Sequence, residues 1–366
     1  MKALCTKEKL QHLLETAVRI SARHHTLAIL QSVRIEAKTN TLEIRATNLE
    51  IGLIANTEAD VSTEGIVAVS AQTLLQTLAV SSASKVQLEV VGETLVVTLG
   101  YTRSELKLYP VDDFPTINYI TGEGVKIDGK LFANGIKSVV FAASQSSIKP
   151  ELCAVYMYQK KAHTLTLVAT DSFRLAECQV PMTSFTLAHS ILVPQKNALE
   201  IARTLESVEE SPVLTITENQ IALSFPSGVY LVSRLIEGNF PDYEQIIPKE
   251  YQSNATLLLK DLERGLRSVT IFANKFMQVA FDVKPSTHTL ILRAENLEAG
   301  RAEDVVRIEG DGADLLLSFN QQYLTEALSH FSSDSILCSL AGIGRPLVMR
   351  GVSDERFRYL VMPMNK

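Results

Sequence analysis

One short motif, a β-strand followed by a polar turn, occurs three times in this sequence, at residues 42–53, 165–176 and 290–300. The alanine before each turn is Ala46, Ala169 or Ala294, and these alanines lie 123 and 125 residues apart. In the middle copy, apolar and polar residues alternate from 164 to 169, which predicts a strand with two different faces. A constant period of this length indicates a domain that the chain uses three times.

Two further landmarks keep the same spacing. Val69 recurs as Val193, 124 residues later, and Phe114 recurs as Phe240, 126 residues later. Each repeat contains two amphipathic segments and about eight short alternating ones. The sequence therefore predicts an α+β protein of three repeated domains, each with two helices and antiparallel sheets. The predicted domains are residues 1–121, 122–248 and 249–366.

The six predicted helices come in pairs, one pair to each repeat. Their apolar residues recur at intervals of three and four, which is the spacing of one helix face. Ser70 is a candidate N-cap for the second helix. The predicted ranges are 7–22, 74–78, 128–143, 198–205, 257–273 and 321–331.

The composition excludes several protein classes. Hydrophobic residues make up 46% of the chain and charged residues 21%, which excludes disorder. Cys5, Cys153, Cys178 and Cys338 form no C-x-x-C pair, so we expect reduced structural thiols instead of disulfides or a zinc site. No apolar run approaches the length of a membrane span and none precedes Cys5, so we expect a cytoplasmic protein without a membrane partner.

Candidate catalytic and metal-binding motifs all have simpler explanations. The glycines of residues 341–346 lack the Gly-Lys-Ser/Thr ending of a phosphate loop, which favours a strand turn. Asp171 has no acid or base partner nearby, and Asn48 and Asn296 occupy the same turn position, which favours an Asx-type turn. The histidine pair that begins at His24 has no suitably spaced third ligand. We therefore predict a protein that is not an enzyme and that has no cofactor and no metal.

Four motifs, in chain order, resemble those of a known family. They are TLAIL, ATDSFRLA, SRLIEGNFPDY and VMPM, at residues 26–30, 169–176, 233–243 and 361–364. These motifs resemble the bacterial replicative sliding clamp, the beta subunit of DNA polymerase III. The resemblance covers the whole chain without large insertions.

The resemblance implies a homodimer with the DNA-clamp fold, in which domain one of each chain meets domain three of the other and six domains form a ring. Such a processivity factor encircles double-stranded DNA without sequence preference, slides along it and tethers the replicative polymerase. The clamp loader and other proteins with a clamp-binding motif are further implied partners. A three-domain scaffold that binds peptides without encircling DNA is the open alternative.

The charge distribution is compatible with this expectation. The net charge of −6 taken alone argues against nucleic-acid binding. The predicted helices with their flanking residues together carry +4, which leaves −10 for the rest of the chain; the segments counted are 5–23, 70–84, 128–144, 194–207, 258–275 and 320–333. A mildly basic lining inside an acidic rim suits a ring that surrounds DNA without gripping its phosphates.

The resemblance also implies a hydrophobic pocket between domains two and three, which receives short partner peptides. By position, the pocket comprises Leu152, Thr170, Ser172, Phe173, Arg174, Leu175, Pro241, Ile246, Pro346, Leu360, Val361, Met362, Pro363 and Met364. The family usually has Gly-His at Ser172-Phe173 and often an arginine near Glu244-Gln245, so we expect a different peptide preference. The residues alone favour Arg174 as a strand residue paired with a neighbouring carboxylate, whereas the resemblance favours an anchor for the peptide.

Two further sets of residues follow from the resemblance. The DNA-facing residues would be Arg23, His24, Lys149, Lys196 and Arg203, with solvated positions as the alternative. The dimer interface would join Arg103, Leu106 and Leu108 of domain one to Ile271, Phe272, Glu298 and Glu303 of domain three. Ordinary core packing is the alternative for the apolar members of the interface set.

Overall fold

The computed structural model describes residues 1–21, 27–183 and 186–364 of the chain. Within these ranges the chain forms six α-helices and 25 β-strands. The helices are α1 (Lys7–Ile20), α2 (Ala71–Ala79), α3 (Gly129–Val140), α4 (Gln195–Ser207), α5 (Leu259–Thr270) and α6 (Gln321–Leu328). No helix in the described ranges is long and apolar enough to cross a membrane.

Short strands make up most of the remaining described chain. They are β1 (Lys2–Thr6), β2 (Ser32–Lys38), β3 (Thr41–Thr47), β4 (Ile51–Thr63), β5 (Gly65–Ser70), β6 (Lys85–Val91), β7 (Thr94–Leu99), β8 (Thr102–Tyr109), β9 (Gly124–Lys126), β10 (Ala154–Lys161), β11 (Thr164–Thr170), β12 (Arg174–Pro181), β13 (Ile191–Pro194), β14 (Val213–Ile216), β15 (Gln220–Ser224), β16 (Tyr230–Arg234), β17 (Ser253–Leu258), β18 (Gln278–Lys284), β19 (Thr289–Asn296), β20 (Gly300–Arg307), β21 (Glu309–Gly312), β22 (Leu315–Asn320), β23 (Ser335–Leu340), β24 (Leu347–Gly351) and β25 (Phe357–Val361).

The chain divides into two compact units, each made from two separate stretches. Unit 1 comprises residues 1–133 and 196–235, and unit 2 comprises residues 134–195 and 236–366. Unit 1 holds a twelve-stranded sheet in the order β1-β6-β7-β8-β5-β2-β3-β4-β16-β15-β14-β9. Unit 2 holds a nine-stranded sheet, β13-β10-β11-β12-β25-β24-β23-β17-β21, and a four-stranded sheet, β20-β19-β18-β22.

The first and third repeats pack in the same way. Helix α1 lies on β3 and β4 and contacts α2, while α5 lies on β19 and β20 and contacts α6. Leu10, Leu14 and Ala17 of α1 are fully buried, as are Leu262 and Leu266 of α5. Because these residues are three or four apart, they form one apolar face that the sheet covers. The helical spacing in the sequence therefore identified the buried faces correctly.

The strand that follows the polar turn has a different outer neighbour in each repeat. In unit 1, β4 pairs with β16, and in unit 2, β12 pairs with β25. Strand β20 pairs only with β19 among the described residues and forms the edge of its sheet. Residues 102–107 of β8 pair with β7, and only Leu108 and Tyr109 reach β5. Strand β20 and residues 102–107 of β8 therefore each have one side that pairs with no strand of the described residues.

The local predictions can be compared directly with the structure. Ser70 is confirmed as an N-cap, because its hydroxyl accepts a hydrogen bond from the Thr73 amide at 3.2 Å. Helix α1 ends at Ile20, before the predicted end, because Ser21 is already extended. Helix α6 ends at Leu328 because the Phe331 amide bonds back to that residue's carbonyl, three residues earlier.

The middle motif forms the predicted strand, and both of its faces are buried. Thr166 is 6% exposed and Val168 is fully buried, as is Leu167 on the opposite face of β11. Val168 packs against Tyr243 on one face, while Leu167 lies close to Gly135 of α3 on the other. The alternation of apolar and polar residues therefore does not indicate a solvent-exposed face here, because threonine can be buried when its hydroxyl is hydrogen-bonded.

The four cysteines are free thiols, and Cys5, Cys178 and Cys338 are buried. Burial raises the pKa of Cys5 and Cys178 to about 11 and that of Cys338 to about 12. These groups therefore stay protonated and act as small apolar core residues.

Candidate functional site

The polar turn between β11 and β12 is held by its own side chains. Asp171 Oδ1 accepts hydrogen bonds from the amides of Phe173 at 2.9 Å and Arg174 at 3.0 Å. Thr170 Oγ1 accepts from the Ser172 amide at 3.1 Å and donates to the Arg174 carbonyl at 2.6 Å. Ser172 adopts φ of 79°, a conformation that strains residues other than glycine. The turn leaves Phe173 62% exposed.

The side chain of Arg174 is satisfied inside the protein. Its Nε donates to Asp171 Oδ2 at 3.0 Å, its Nη2 donates to the Phe141 carbonyl at 2.9 Å, and its Nη1 donates to Glu326. The guanidinium carbon also lies 4.3 Å from the centroid of the Tyr323 ring, within cation–π range. Arg174 is therefore a strand residue with carboxylate partners, and its side chain is only 9% exposed.

The electrostatics keep Arg174 charged. Burial alone would lower the pKa of its guanidinium, but the hydrogen bond to Glu326 and the nearby Tyr359 and Asp171 raise it above its ordinary value. A buried cation that lost these partners would be strongly unfavourable. The arrangement thus fastens β12 to helix α6, which carries Glu326.

An apolar cluster lies beside the turn in the nine-stranded sheet. Its buried members are Val168, Leu175, Tyr243, Val348 and Leu360. Leu175 and Leu360 face each other across β12 and β25, so the cluster joins strands from distant parts of the sequence. Phe240 borders the cluster and stacks on Tyr156, with ring centroids 4.6 Å apart.

The chain that follows β25 runs beside the same turn. The Met362 amide donates to the Phe173 carbonyl at 2.8 Å, and the Met364 amide donates to the Ser318 carbonyl at 2.7 Å. Two backbone hydrogen bonds therefore hold this segment between the polar turn and strand β22.

The structure brings the predicted pocket residues together in unit 2 but exposes only some of them. The buried members are Leu152, Thr170, Leu175, Pro346, Leu360 and Val361. Arg174, Pro363 and Met364 are half-buried, and Ser172 is exposed in the turn. The remaining exposed members, which we call the tail surface, are Phe173, Pro241, Ile246 and Met362. Each lies one or two residues from a side chain that belongs to the apolar cluster or borders it.

A buried carboxylate holds the segment before β17 against the sheet. Glu177 is 5% exposed, and it accepts hydrogen bonds from the Tyr243 hydroxyl at 2.6 Å and from Arg358 at 2.9 Å. The Tyr158 hydroxyl lies 2.7 Å from that of Tyr243. Burial and the charge of Glu177 raise the pKa of Tyr243 above its ordinary value of 10, so the phenol remains a donor.

Sequence reasoning expected a neighbouring carboxylate beside Arg174, which Asp171 supplies, but it missed the partners on other elements. Phe141 follows α3, while Tyr323 and Glu326 belong to α6, more than a hundred residues after the turn. The only signal in the sequence was an arginine among apolar neighbours, which requires a charged partner without indicating which one. The pairing of β12 with β25 brings α6 close, and spacing within one repeat cannot predict that pairing.

The predicted DNA-facing residues lie on the surface where the structure describes them. Lys149 is exposed in unit 2, and Lys196 and Arg203 are exposed on α4 in unit 1. Arg203 donates to Glu200, which also accepts from Arg19 of α1 at 2.9 Å. Part of the positive charge on these two helices is therefore compensated within the protein. The predicted residues Arg23 and His24 lie outside the described residues.

The predicted interface residues fall into two groups. On β8, Arg103 is exposed and bonds to Glu105 at 3.1 Å, Leu108 is half-buried, and Leu106 is only 5% exposed. The burial of Leu106 within unit 1 agrees with the alternative of core packing. In unit 2, Ile271 is 74% exposed and Phe272 is half-buried.

The acidic members of that set lie on and beside β20. Glu298 is exposed just before the strand, and its amide donates to Asn296 at 2.9 Å. Glu303 is exposed on the strand and accepts from Arg293 at 2.6 Å. Among the described residues, no group of three or more histidine, cysteine, aspartate or glutamate side chains could hold a metal.

Solved structures define the class of protein to which this fold belongs. The chain is similar to the DNA polymerase III beta subunit from Thermotoga maritima, with a TM-score of 0.93 and 25% identity over 100% of this chain and 99% of that one. It is also similar in fold to the beta subunit from Pseudomonas aeruginosa, with a TM-score of 0.91 and 24% identity over 100% of both chains. The fold is the clamp fold, and the prediction of three α+β repeats is confirmed.

Family models and named relatives agree with this class. Models of the N-terminal, central and C-terminal domains of the DNA polymerase III beta subunit match residues 1–118, 126–242 and 244–365. The beta sliding clamp of Caulobacter vibrioides is 27% identical over 354 residues, which are 93% of this chain and 94% of that protein. That of Escherichia coli is 24% identical over 361 residues, 97% of this chain and 98% of its own. The chain belongs to the DNA polymerase III beta subunit family.

Proposed function

We propose that this protein is a DNA polymerase processivity factor, and that two copies form a ring around duplex DNA and tether a polymerase to it. Membership of the beta subunit family along the whole chain carries this proposal. In this role the protein acts in the cytoplasm, holds DNA by enclosure and catalyses no reaction.

The strand edges support a head-to-tail homodimer. In the first and second repeats, the strand after the polar turn, β4 or β12, pairs with the last strand of the next repeat, β16 or β25. Strand β20 of the third repeat pairs only with β19 among the described residues, and residues 102–107 of β8, the last strand of the first repeat, pair only with β7. A second copy that offers β8 to β20 would continue the same pairing and remove both edges.

Side chains near the two edges are complementary. Ile271 is 74% exposed and Leu297 is 98% exposed, so both side chains are accessible for an apolar contact with a partner. Arg103 on β8 and Glu298 beside β20 carry opposite charges that would orient the pairing. The half-buried Leu108 and Phe272 would contribute to the apolar contact, with Glu303 at its border.

The tail surface supports a site for partner peptides. Its exposed apolar residues, Phe173, Ile246 and Met362, are attached to a rigid cluster and a fixed turn, so little conformational entropy is lost on binding. Methionine adapts to several partners, which suits a surface shared by a polymerase, a clamp loader and other proteins.

Few basic side chains would face the duplex. We assign this role to Lys149, Lys196 and Arg203, with Arg23 and His24 from the same set. Weak, scattered phosphate contacts hold a ring near the DNA without fixing its position, because each retained contact would slow sliding.

Retention on circular DNA tests the enclosure. The protein is loaded on a nicked circular plasmid by its clamp loader, separated by gel filtration and then treated with an enzyme that linearises the plasmid. We expect the protein to stay with the circle and to leave the linear product. Equal retention on both forms would favour the non-encircling scaffold.

The proposed dimer contact is tested by a charge at Ile271. Ile271→Arg places a charge in the apolar contact, so the variant should elute as a monomer at micromolar concentration. Ile343→Arg alters another exposed isoleucine of the same unit, 87% exposed, and should remain a dimer. A dimer in both variants would reject this interface.

A further inference from the structure

A cavity opens beside the apolar cluster, on the same face of the nine-stranded sheet. It is a cavity of about 320 Å³ whose lining includes Thr166, Glu177, Arg358, Glu244 and residues 247–249. Glu177 lies two residues after Leu175 on β12, and Arg358 lies two residues before Leu360 on β25. Side chains two apart on a strand share a face, so the cavity and the cluster are neighbours.

Tyr243 and Ile247 separate this cavity from the tail surface. The Tyr243 ring belongs to the apolar cluster, while its hydroxyl bonds to Glu177 in the cavity wall. Ile247 lines the cavity and also packs against the cluster. A peptide bound along the tail surface would therefore have this cavity directly beside it.

The charged side chains of the cavity are predominantly positive. Its lining contains Lys160, Lys161, Lys249 and Arg358 but only two carboxylates, Glu177 and Glu244. Both carboxylates are already occupied, because Glu177 bonds to Arg358 at 2.9 Å and Glu244 bonds to Lys160 at 2.8 Å. No salt bridge joins the exposed Lys161 or Lys249 to a carboxylate of the described residues. A chain with a net charge of −6 thus has a local surplus of cations here.

The neighbouring strand adds to this surplus. Arg350 on β24 lies directly opposite Arg358 on β25, and like charges in that position repel each other. The Nε of Arg350 is buried without a hydrogen-bond partner among the described residues. The positive charge of Arg350 therefore lies one strand away from Arg358, which lines the cavity.

We propose that this cavity, the basic recess, binds acidic side chains that flank the apolar anchor of a partner peptide. The inference rests on the proposed peptide site and specifies the chemistry of the partner. A volume near 300 Å³ is at the small end of ligand cavities, so it admits one or two extended side chains. Lys161 and Lys249 supply the charges that select carboxylates over neutral amides.

Two synthetic peptides test the basic recess. They share a leucine–phenylalanine anchor and differ in their flanks, which carry glutamates in one peptide and glutamines in the other. Binding is measured by fluorescence anisotropy at low and at physiological salt. The glutamate peptide should bind about fivefold more tightly at low salt, the effect of one or two exposed ion pairs, and salt should reduce the difference.

A matched pair of variants locates the effect. Lys161→Gln/Lys249→Gln should abolish the preference for glutamate, whereas Lys126→Gln/Lys130→Gln, which alters exposed lysines of unit 1, should keep it. Equal binding of the two peptides to the natural protein, or a preference that survives Lys161→Gln/Lys249→Gln, would overturn the recess and leave the peptide site intact. Failure of both peptides to bind would overturn the peptide site as well.

Discussion

The turns of the first and middle repeats have the same backbone and different side chains. Thr47 bonds to the Ile51 carbonyl at 2.9 Å, and Asn48 Oδ1 accepts from the amides of Glu50 and Ile51 at 3.0 and 2.9 Å. Thr170 and Asp171 make the equivalent bonds in the middle repeat. Leu49 and Ser172 even adopt nearly the same φ, 77° and 79°.

The difference lies at the end of each turn. Ile51 is a buried apolar residue, whereas Arg174 at the equivalent position connects its turn to Phe141 and Glu326. Asp171 supplies a charge for Arg174 where Asn48 is neutral. The repeated backbone is therefore scaffold, and a few side chains give the middle turn a separate role.

Replacing Arg174 by isoleucine, the residue found at the equivalent position 51 of the first turn, should have the largest effect on stability. Arg174→Ile leaves Asp171, Glu326 and a backbone carbonyl without their partner, and should cost about 3 kcal/mol locally. Adding Asp171→Asn should recover about 1 kcal/mol, because it removes one unpaired charge. Amide hydrogen exchange should become faster in β12 and α6 and stay unchanged in β3 and β4. Unchanged exchange in β12 would show that the arginine network contributes nothing.

Removing the exposed ring of the middle turn should affect binding instead of stability. Phe173→Ala should lower the affinity for a partner peptide about tenfold, as expected for the loss of an exposed aromatic contact. Glu50→Ala, at the equivalent position of the first turn, should have no effect, and Phe276→Ala, which removes another exposed phenylalanine of unit 2, serves as the control. Isothermal titration measures all three, and equal affinities throughout would remove Phe173 from the site.

Exchanging the acceptor residues of the two turns, Asp171 and Asn48, should separate the contribution of hydrogen bonding to stability from that of charge. Asp171→Asn keeps an oxygen for the two amides but loses the charge beside Arg174, so it should cost about 1 kcal/mol. Asn48→Asp adds a charge without a cation partner and should change stability by less than about 0.5 kcal/mol. Denaturant unfolding of both variants makes the comparison, and equal losses would contradict the special role of Asp171.

Replacing the left-handed residue of each turn by glycine should relieve backbone strain to the same small extent in both turns. Leu49→Gly and Ser172→Gly remove a side chain from a left-handed residue, and each should stabilise the protein by about 0.5 kcal/mol after the added freedom of the unfolded chain is subtracted. Similar shifts in melting temperature are the expected result. Destabilisation by Ser172→Gly alone would show that the serine makes contacts needed by the middle turn.

The smallest expected effect is a pH dependence confined to the middle turn. Burial and the nearby charge of Lys137 lower the pKa of His330 below 6.5, although Glu326 opposes them, and its ring stacks on Phe141 at 4.5 Å. The unfolded chain therefore takes up a proton before the folded one, so stability is complete above about pH 6.5 and falls as the pH is lowered.

Hydrogen exchange at pH 7.5 and 5.5, corrected for intrinsic rates, should show this loss in β12 and α6 but not in β4. His330→Gln should remove the difference, whereas His12→Gln, at an exposed position on α1, should keep it. A loss of equal size in β4 would assign the pH effect to the whole fold.

Local signals in the sequence predicted the scaffold well, for reasons visible in these turns. Asn48, Asp171 and Asn296 were identified as turn residues because the same residue class recurs at one spacing and the required bonds are local. The helices were identified because each buries a face within its own repeat.

The site was harder to predict because its contacts cross between repeats. Glu326 contacts Arg174 only because β25 pairs with β12. Nothing in the sequence of either strand indicates this pairing. The third repeat also shows the limit of the repeat argument. Glu295 replaces the turn threonine there, and among the described residues the left-handed position moves to Gly300.

The open edges of β8 and β20 are two different surfaces, and this has a consequence for assembly. When one copy joins another through such a contact, one β8 and one β20 remain free, so each addition preserves the capacity to add again. Growth of this kind ends only when the last edge meets the first. A chain altered at β8 alone could still join one partner through its intact β20, but the resulting pair could not close into a ring.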